Sequence, residues 1–259
     1  MNHSMHHSMH HTFTRWLAPA VVSLACLVAV PLTLPLAAQA ASVSGSGKVS
    51  TETRSLAEFQ AVALNGSMDL VGRQGPTQSV QVEADDNLLP LLETVVEPAS
   101  QGATLVVRWK NGQSLYSRSK VSITVTVPLM SALTASGSGD IKVEPFNTPA
   151  LKLSLSGSGD AKLQGLSTAD FGITISGSGD VVANGSATKL SISIAGSGDV
   201  RLADLKSDDV SVSVAGSGDV AVNASKTLDV RIAGSGDVSY TGNAAVKSRV
   251  AGSGSVNKR

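Results

Sequence analysis

Histidine and cysteine are the scarce residues of this 259-residue chain. All five histidines lie within the first eleven positions (His3, His6, His7, His10 and His11), and Cys26 is the sole cysteine. A product trimmed of its first forty residues therefore carries neither type. That removes Cys–His and Ser–His nucleophile pairs and the usual zinc sites. Aromatic residues are 3% of the chain, too few for a core built on rings or for the stacking platforms of sugar-cleaving grooves. Charged residues are 15%, with twenty basic and twenty acidic side chains. No basic stripe stands out, so the chain lacks the electrostatic footprint of a nucleic-acid binder.

Residues 1–40 read as an export signal. Arg15 precedes an apolar run from Leu17 to Leu36, broken by Pro19, Pro31 and Pro35, and Ala38-Gln39-Ala40 supplies a small-x-small cleavage site. An uncleaved anchor is the alternative, since the run is just long enough to span a bilayer. The Met- and His-rich leader reads as an extended or mis-started n-region or a tag, with soft-metal binding as the other option. The expected product is periplasmic, secreted or cell-surface, with no membrane span once the signal is cut.

What the chain has in abundance is Ser, Gly and Val, and a tetrapeptide organises them. Gly-Ser-Gly-Asp ends at Asp140, Asp160, Asp180, Asp199, Asp219 and Asp237, at intervals of 20, 20, 19, 20 and 18 residues. A last copy ends in Ser255 instead of an acid. Self-similarity at this period marks a solenoid, in which one coil cannot bury its apolar face alone. Apolar residues alternate before the glycines (Leu151, Leu153, Leu155; Val210, Val212, Val214) and after the aspartate (Ala161, Leu163; Val220, Val222). Two half-buried strands per coil follow. The even step from Leu155 to Ala161 places Gly157 and Gly159 inward at a corner, with Ser156, Ser158 and Asp160 outward; an αL turn is the alternative. The second connection varies in length and composition, from Pro145–Pro149 to Lys206–Asp209, and reads as a loop.

Residues 41–130 have β texture without an exact repeat and are expected to form irregular coils or a cap, continuous with the regular coils of 131–259. Val62–Leu70 looks like a degenerate unit in which Met68 replaces the second glycine. The one helical candidate is Asp85-Asp86-Asn87-Leu88-Leu89-Pro90-Leu91-Leu92-Glu93, with an Asp or Asn cap and Pro90 in the first turn; a loop with buried leucines is the alternative. The expected fold is all-β: a right-handed parallel β-helix with coils of about 18–20 residues and at most one short helix.

Phe59–Asp69, the Leu88-Leu89 stretch, Val121–Pro128 and the recurring tetrapeptide resemble the bacterial head-GIN domain family, also described as auto-transporter adhesin head domains. The resemblance covers nearly the whole chain after the signal and implies an exported β-helical domain. It brings no established catalytic residues.

Stacked coils would set the six aspartates in a column about 4.8 Å apart, where bare charges repel by about 0.9 kcal/mol even in bulk water. Hydrogen bonds from Ser hydroxyls and backbone amides would offset this. A calcium ladder along Asp140, Asp160, Asp180, Asp199, Asp219 and Asp237 is the sharper alternative. Catalytic use of Asp208-Asp209 with Arg201, in a carbohydrate-active enzyme, and ice binding rank lower. The expected function is a non-catalytic envelope binding or structural module without a cofactor. Its expected partners are an envelope glycan or protein, and self-association is a further option.

Overall fold

Period-two alternation makes this chain a succession of strands, and the register of their pairing gives the architecture. The computed structural model describes residues 42–99, 102–110 and 114–259; the signal-like leader lies outside them. The irregular half runs β1 (Ser42–Ser44), β2 (Val49–Arg54), β3 (Ala61–Asn65), β4 (Asp69–Gln74) and β5 (Ser79–Asp85). A single 3₁₀ turn at Leu89–Leu91 follows, then β6 (Leu92–Ala99), β7 (Gly102–Trp109), β8 (Ser114–Tyr116) and β9 (Ser122–Val127). The repeats supply β10 (Ala132–Gly137), β11 (Ile141–Val143), β12 (Phe146–Gly157), β13 (Ala161–Gly177), β14 (Val181–Gly196) and β15 (Val200–Gly216). Last come β16 (Val220–Gly234), β17 (Val238–Thr241), β18 (Ala245–Gly252) and β19 (Val256–Lys258). All repeat-to-repeat pairings are parallel, and the long strands before each tetrapeptide stack residue on residue, so the fold is a parallel β-helix.

Each regular coil has three sheet faces, not the two expected. In β13 the buried residues are Ala161 and Leu163, then Leu166 and Thr168, then Phe171, Ile173 and Ile175. The odd steps from Leu163 to Leu166 and from Thr168 to Phe171 break the period-two parity, and each break is a corner. The connection read as a loop is thus a short middle strand. Phe146, Leu166, Gly185 and Leu205 stack along it, and the register shifts that absorb its variable length sit beside it. In-register stacking piles Leu151, Phe171, Leu190, Val210 and Leu228 into one apolar column. Burying each such side chain contributes about 1.5–3 kcal/mol, so the core is assembled from thin aliphatic columns with few rings.

The irregular half belongs to the same solenoid, but its coils are not stacked in chain order. β10 pairs with β12 on one side and β3 on the other, and β3 in turn pairs with β7. β4 likewise lies between β11 and β9. The degenerate unit Val62–Leu70 is therefore a true coil, inserted between the outermost coil and the first regular one. Beyond it the strands reverse: β5 runs antiparallel to β9, β2 to β5, and β6 to β7. Reversal ends the parallel stack on this side.

The helical candidate does not form as expected. Only the 3₁₀ turn appears, with Leu88 at its N-cap and no side-chain cap bond. Its would-be caps are used elsewhere. Asp85 is fully buried and accepts from the Ser119 hydroxyl (2.7 Å), the Arg118 N–H (2.9 Å) and the Ser117 hydroxyl (3.1 Å). Asn87 bonds the Ser44 carbonyl and the Ser46 N–H, tying β1 and its following turn to the body. The described residues fall in one compact unit, and no helix among them is long and apolar enough to cross a membrane.

Candidate functional site

The corner is built by both glycines, though not as parity suggests. Gly157 has φ +128° and is half-exposed while Gly159 is buried, with Ser156, Ser158 and Asp160 outward as the parity requires; the difference lies in where the two glycines would point a side chain. That φ lies in a region essentially restricted to glycine, yet outside αL. A Cβ on Gly157 would sit 2.2 Å from the Gly137 carbonyl oxygen, and one on Gly159 would sit 2.1 Å from that of Gly139. The missing side chains would point along the stack into the neighbouring coil. Coils approach closely here because only hydrogen separates their backbones.

That approach reorganises the hydrogen bonds. The Ser158 N–H reaches back to the Gly137 carbonyl (3.0 Å), and the Ala161 N–H reaches forward to the Asp180 carbonyl (2.8 Å). Between them the Asp160 N–H donates to Asp140 Oδ1 (3.1 Å). The same bond recurs at every rung: Asp180 to Asp160 (2.9 Å), Asp199 to Asp180 (2.9 Å), Asp219 to Asp199 (3.0 Å) and Asp237 to Asp219 (2.9 Å). Each carboxylate stands in for a backbone carbonyl where the turn lifts one amide out of the ladder. All six predicted aspartates therefore lie in one column. The structure adds a seventh member, Asp69, whose Oδ1 accepts the Asp140 N–H at 3.0 Å. At the far end Ser255 donates both its N–H and its hydroxyl to Asp237 Oδ1, each at 2.8 Å.

Two of the second oxygens, those of Asp180 and Asp199, meet a cation on an adjacent column. Lys142, Lys162, Val182 and Arg201 are in register two residues after successive aspartates. Arg201 bridges two rungs, Asp180 Oδ2 at 3.0 Å and Asp199 Oδ2 at 2.9 Å. Its hydrogen bond and attraction to Asp180 raise its pKa above the ordinary arginine value. Lys120 pairs with Asp69 at 3.2 Å. Among the described residues no group of three or more His, Cys, Asp or Glu side chains is placed to hold a metal ion. The hydroxyl partners expected for the aspartates are the minority, since backbone amides take the inner oxygens.

The residues weighed for catalysis are not brought together. Arg201 is committed to the ladder. Asp208 is engaged by Ser225 (2.6 Å) and Lys226 (3.0 Å), which hold its carboxyl below the usual range. Asp209 accepts from the Thr227 hydroxyl at 2.7 Å and lies in a groove that sequence reasoning did not single out. This groove, of about 620 Å³, crosses the outer surface of the long face over five coils. One register column along it reads Ala150, Asp170, Lys189, Asp209, Thr227; the next reads Lys152, Gly172, Ser191, Ser211, Asp229. Charges alternate along it, and Gly172 leaves its middle open. The interleaved Lys and Asp of consecutive repeats were the available signal.

The profile of the family described as "Putative auto-transporter adhesin, head GIN domain" matches residues 58–244. The chain belongs to this family. Solved structures share the fold. "A putative adhesin" from Bacteroides fragilis has a TM-score of 0.77 at 22% identity, over 84% of this chain and all of that one. A "putative lipid binding protein" from Parabacteroides distasonis has 0.70 at 24%, over 85% and 100%. "A putative adhesin" from Parabacteroides merdae has 0.65 at 23%, over 84% and 98%. No curated protein sequence matches the chain.

Proposed function

We propose that this head-GIN protein is an exported, non-catalytic adhesin-type module of the bacterial envelope, and that it binds an extended polar polymer along the long-face groove. The observation that carries the reading is the contrast between the two surfaces. The Asp column spends its inner oxygens on coil-to-coil bonds, whereas the groove offers unbridged Lys152 and Lys189 beside Asp170 in a shallow cleft five coils long. A flat charge-alternating cleft without a nucleophile–base pair suits recognition of an envelope glycan or protein better than bond cleavage. The adhesin descriptions of the family and of its structural relatives support this reading. The test is capture of envelope glycans and proteins by the wild type and by a Lys152→Glu/Lys189→Glu variant. Binding should weaken at least about tenfold in the variant, a loss of about 1.4 kcal/mol, with no release of reducing sugar by either protein. Binding indifferent to the two lysines, or clear turnover by the wild type, contradicts the proposal.

A further inference from the structure

The C-terminal end of the solenoid differs from the other end in pairing: it stays parallel to its last coil, whereas the other end is closed by antiparallel strands. Among the described residues β18 pairs with β16 and β19 with β17, and neither gains a partner on its outer side. Every residue of β18 is exposed. Val246 and Val250 occupy the inward register positions of Leu228 and Ile232, yet are 40% and 43% exposed because none of the described residues lies over them. No Asp or Glu follows Asp237, whereas Lys247, Arg249, Lys258 and Arg259 do. This coil also lies largely beyond residues 58–244, the part matched by the family.

We infer that this end is a docking edge for an extended acidic segment of another protein, which would add a strand to β18. Three features set the chemistry of the occupant. An unpaired strand edge presents backbone donors and acceptors in register, which another strand satisfies. Val246 and Val250, with the small Ser248 between them, ask for apolar side chains on one side, and Lys247 and Arg249 ask for carboxylates on the other. Ser255 ends the acid column, so an incoming corner finds no carboxylate to receive its amide; a strand is accommodated, a further Gly-Ser-Gly-Asp coil is not. A second copy presenting the same end would set four cationic side chains against four. The inference is independent of the groove on the long face.

The test is fluorescence anisotropy of a short labelled peptide, Thr-Val-Glu-Val-Glu-Val-Thr, with the full chain. The controls are its Lys-for-Glu counterpart, a scrambled peptide of the same composition, and phosphatidylglycerol vesicles. The alternating acidic peptide should bind and the Lys counterpart should not. A Lys247→Glu/Arg249→Glu variant, with its far-UV spectrum and melting temperature checked against wild type, should weaken the acidic peptide by about tenfold or more and bind the Lys peptide instead. Three outcomes overturn the inference: no binding of the acidic peptide, equal binding of scrambled peptide or vesicles (a charge effect alone), or an oligomer of the wild type that the variant abolishes (the occupant is then a second copy).

Discussion

At the scale of single residues, the tetrapeptide divides its tasks. The first glycine supplies a φ that other residues avoid, the second removes a Cβ that would strike backbone, and the aspartate replaces a carbonyl. The steric part gives a sharp expectation. Gly159→Ala puts a methyl 2.1 Å from the Gly139 carbonyl oxygen, which belongs to a backbone that cannot step aside. Urea denaturation should show a loss of about 3 kcal/mol or more, whereas Gly172→Ala, whose Cβ would meet only Lys152 Cγ at an ordinary contact distance of 3.8 Å, should cost under about 1 kcal/mol. Equal effects would sink the close-approach explanation. Much of this was legible: the recurring glycines and aspartates announce a corner and a column. The orientation of Gly157 was not, because parity counting assumes extended backbone and φ +128° breaks that assumption. Asp69 was legible as the end of a degenerate unit but not as a rung, because its place beside Asp140 rests on a pairing of segments 71 residues apart.

At the scale of elements, strand pattern was readable wherever alternation was unbroken, and misread where partners are distant in sequence. The middle face hid in connections of unequal length, although the odd steps around Leu166 and Thr168 mark its corners. Asp85-Asp86-Asn87 looked like a helix cap by local rules. Its real partners, Ser117–Ser119 and Ser44–Ser46, lie thirty or more residues away, where no local rule reaches. The Ser119 hydroxyl, with help from Arg118 and Ser117, holds the Asp85 carboxyl below its ordinary pKa against the opposing effect of burial. A lowered folded-state value means that the ionised form stabilises the fold above the unfolded pKa of about 3.9, and that this contribution disappears as pH falls through the lower folded value. The stability gap between wild type and Asp85→Asn should therefore be widest above about pH 5 and shrink on acidification. Urea midpoints across that range check it, and a gap that widens as pH falls contradicts it.

At the scale of the whole molecule, each regular coil touches its neighbours through the same register, so stability should be nearly a sum of coil and interface contributions. Deleting Asp180–Gly198 joins Gly179 to Asp199 and removes one full period. The shortened chain should fold to the same β-rich spectrum and unfold cooperatively, with a denaturant slope reduced roughly in proportion to the surface lost. An aggregated or unfolded product would show that coils depend on contacts beyond their neighbours. The insertion of the β3–β4 coil between β7 and β10 is the exception to chain-order stacking. It was invisible in the sequence because it rests on pairings between segments more than forty residues apart.

The aspartate column is expected to act as a coil-to-coil acceptor and not as a ligand site. The most direct measurement compares urea unfolding of Asp160→Asn and Asp160→Ala, each with millimolar calcium and with EDTA. Asn keeps a carbonyl oxygen for the Asp180 N–H and should stay within about 1 kcal/mol of wild type, while Ala leaves that amide without its acceptor and should lose about 1–3 kcal/mol, with no response to calcium in either. Equal losses in the two variants, together with a wild type stabilised by calcium and weakened by EDTA, would contradict it.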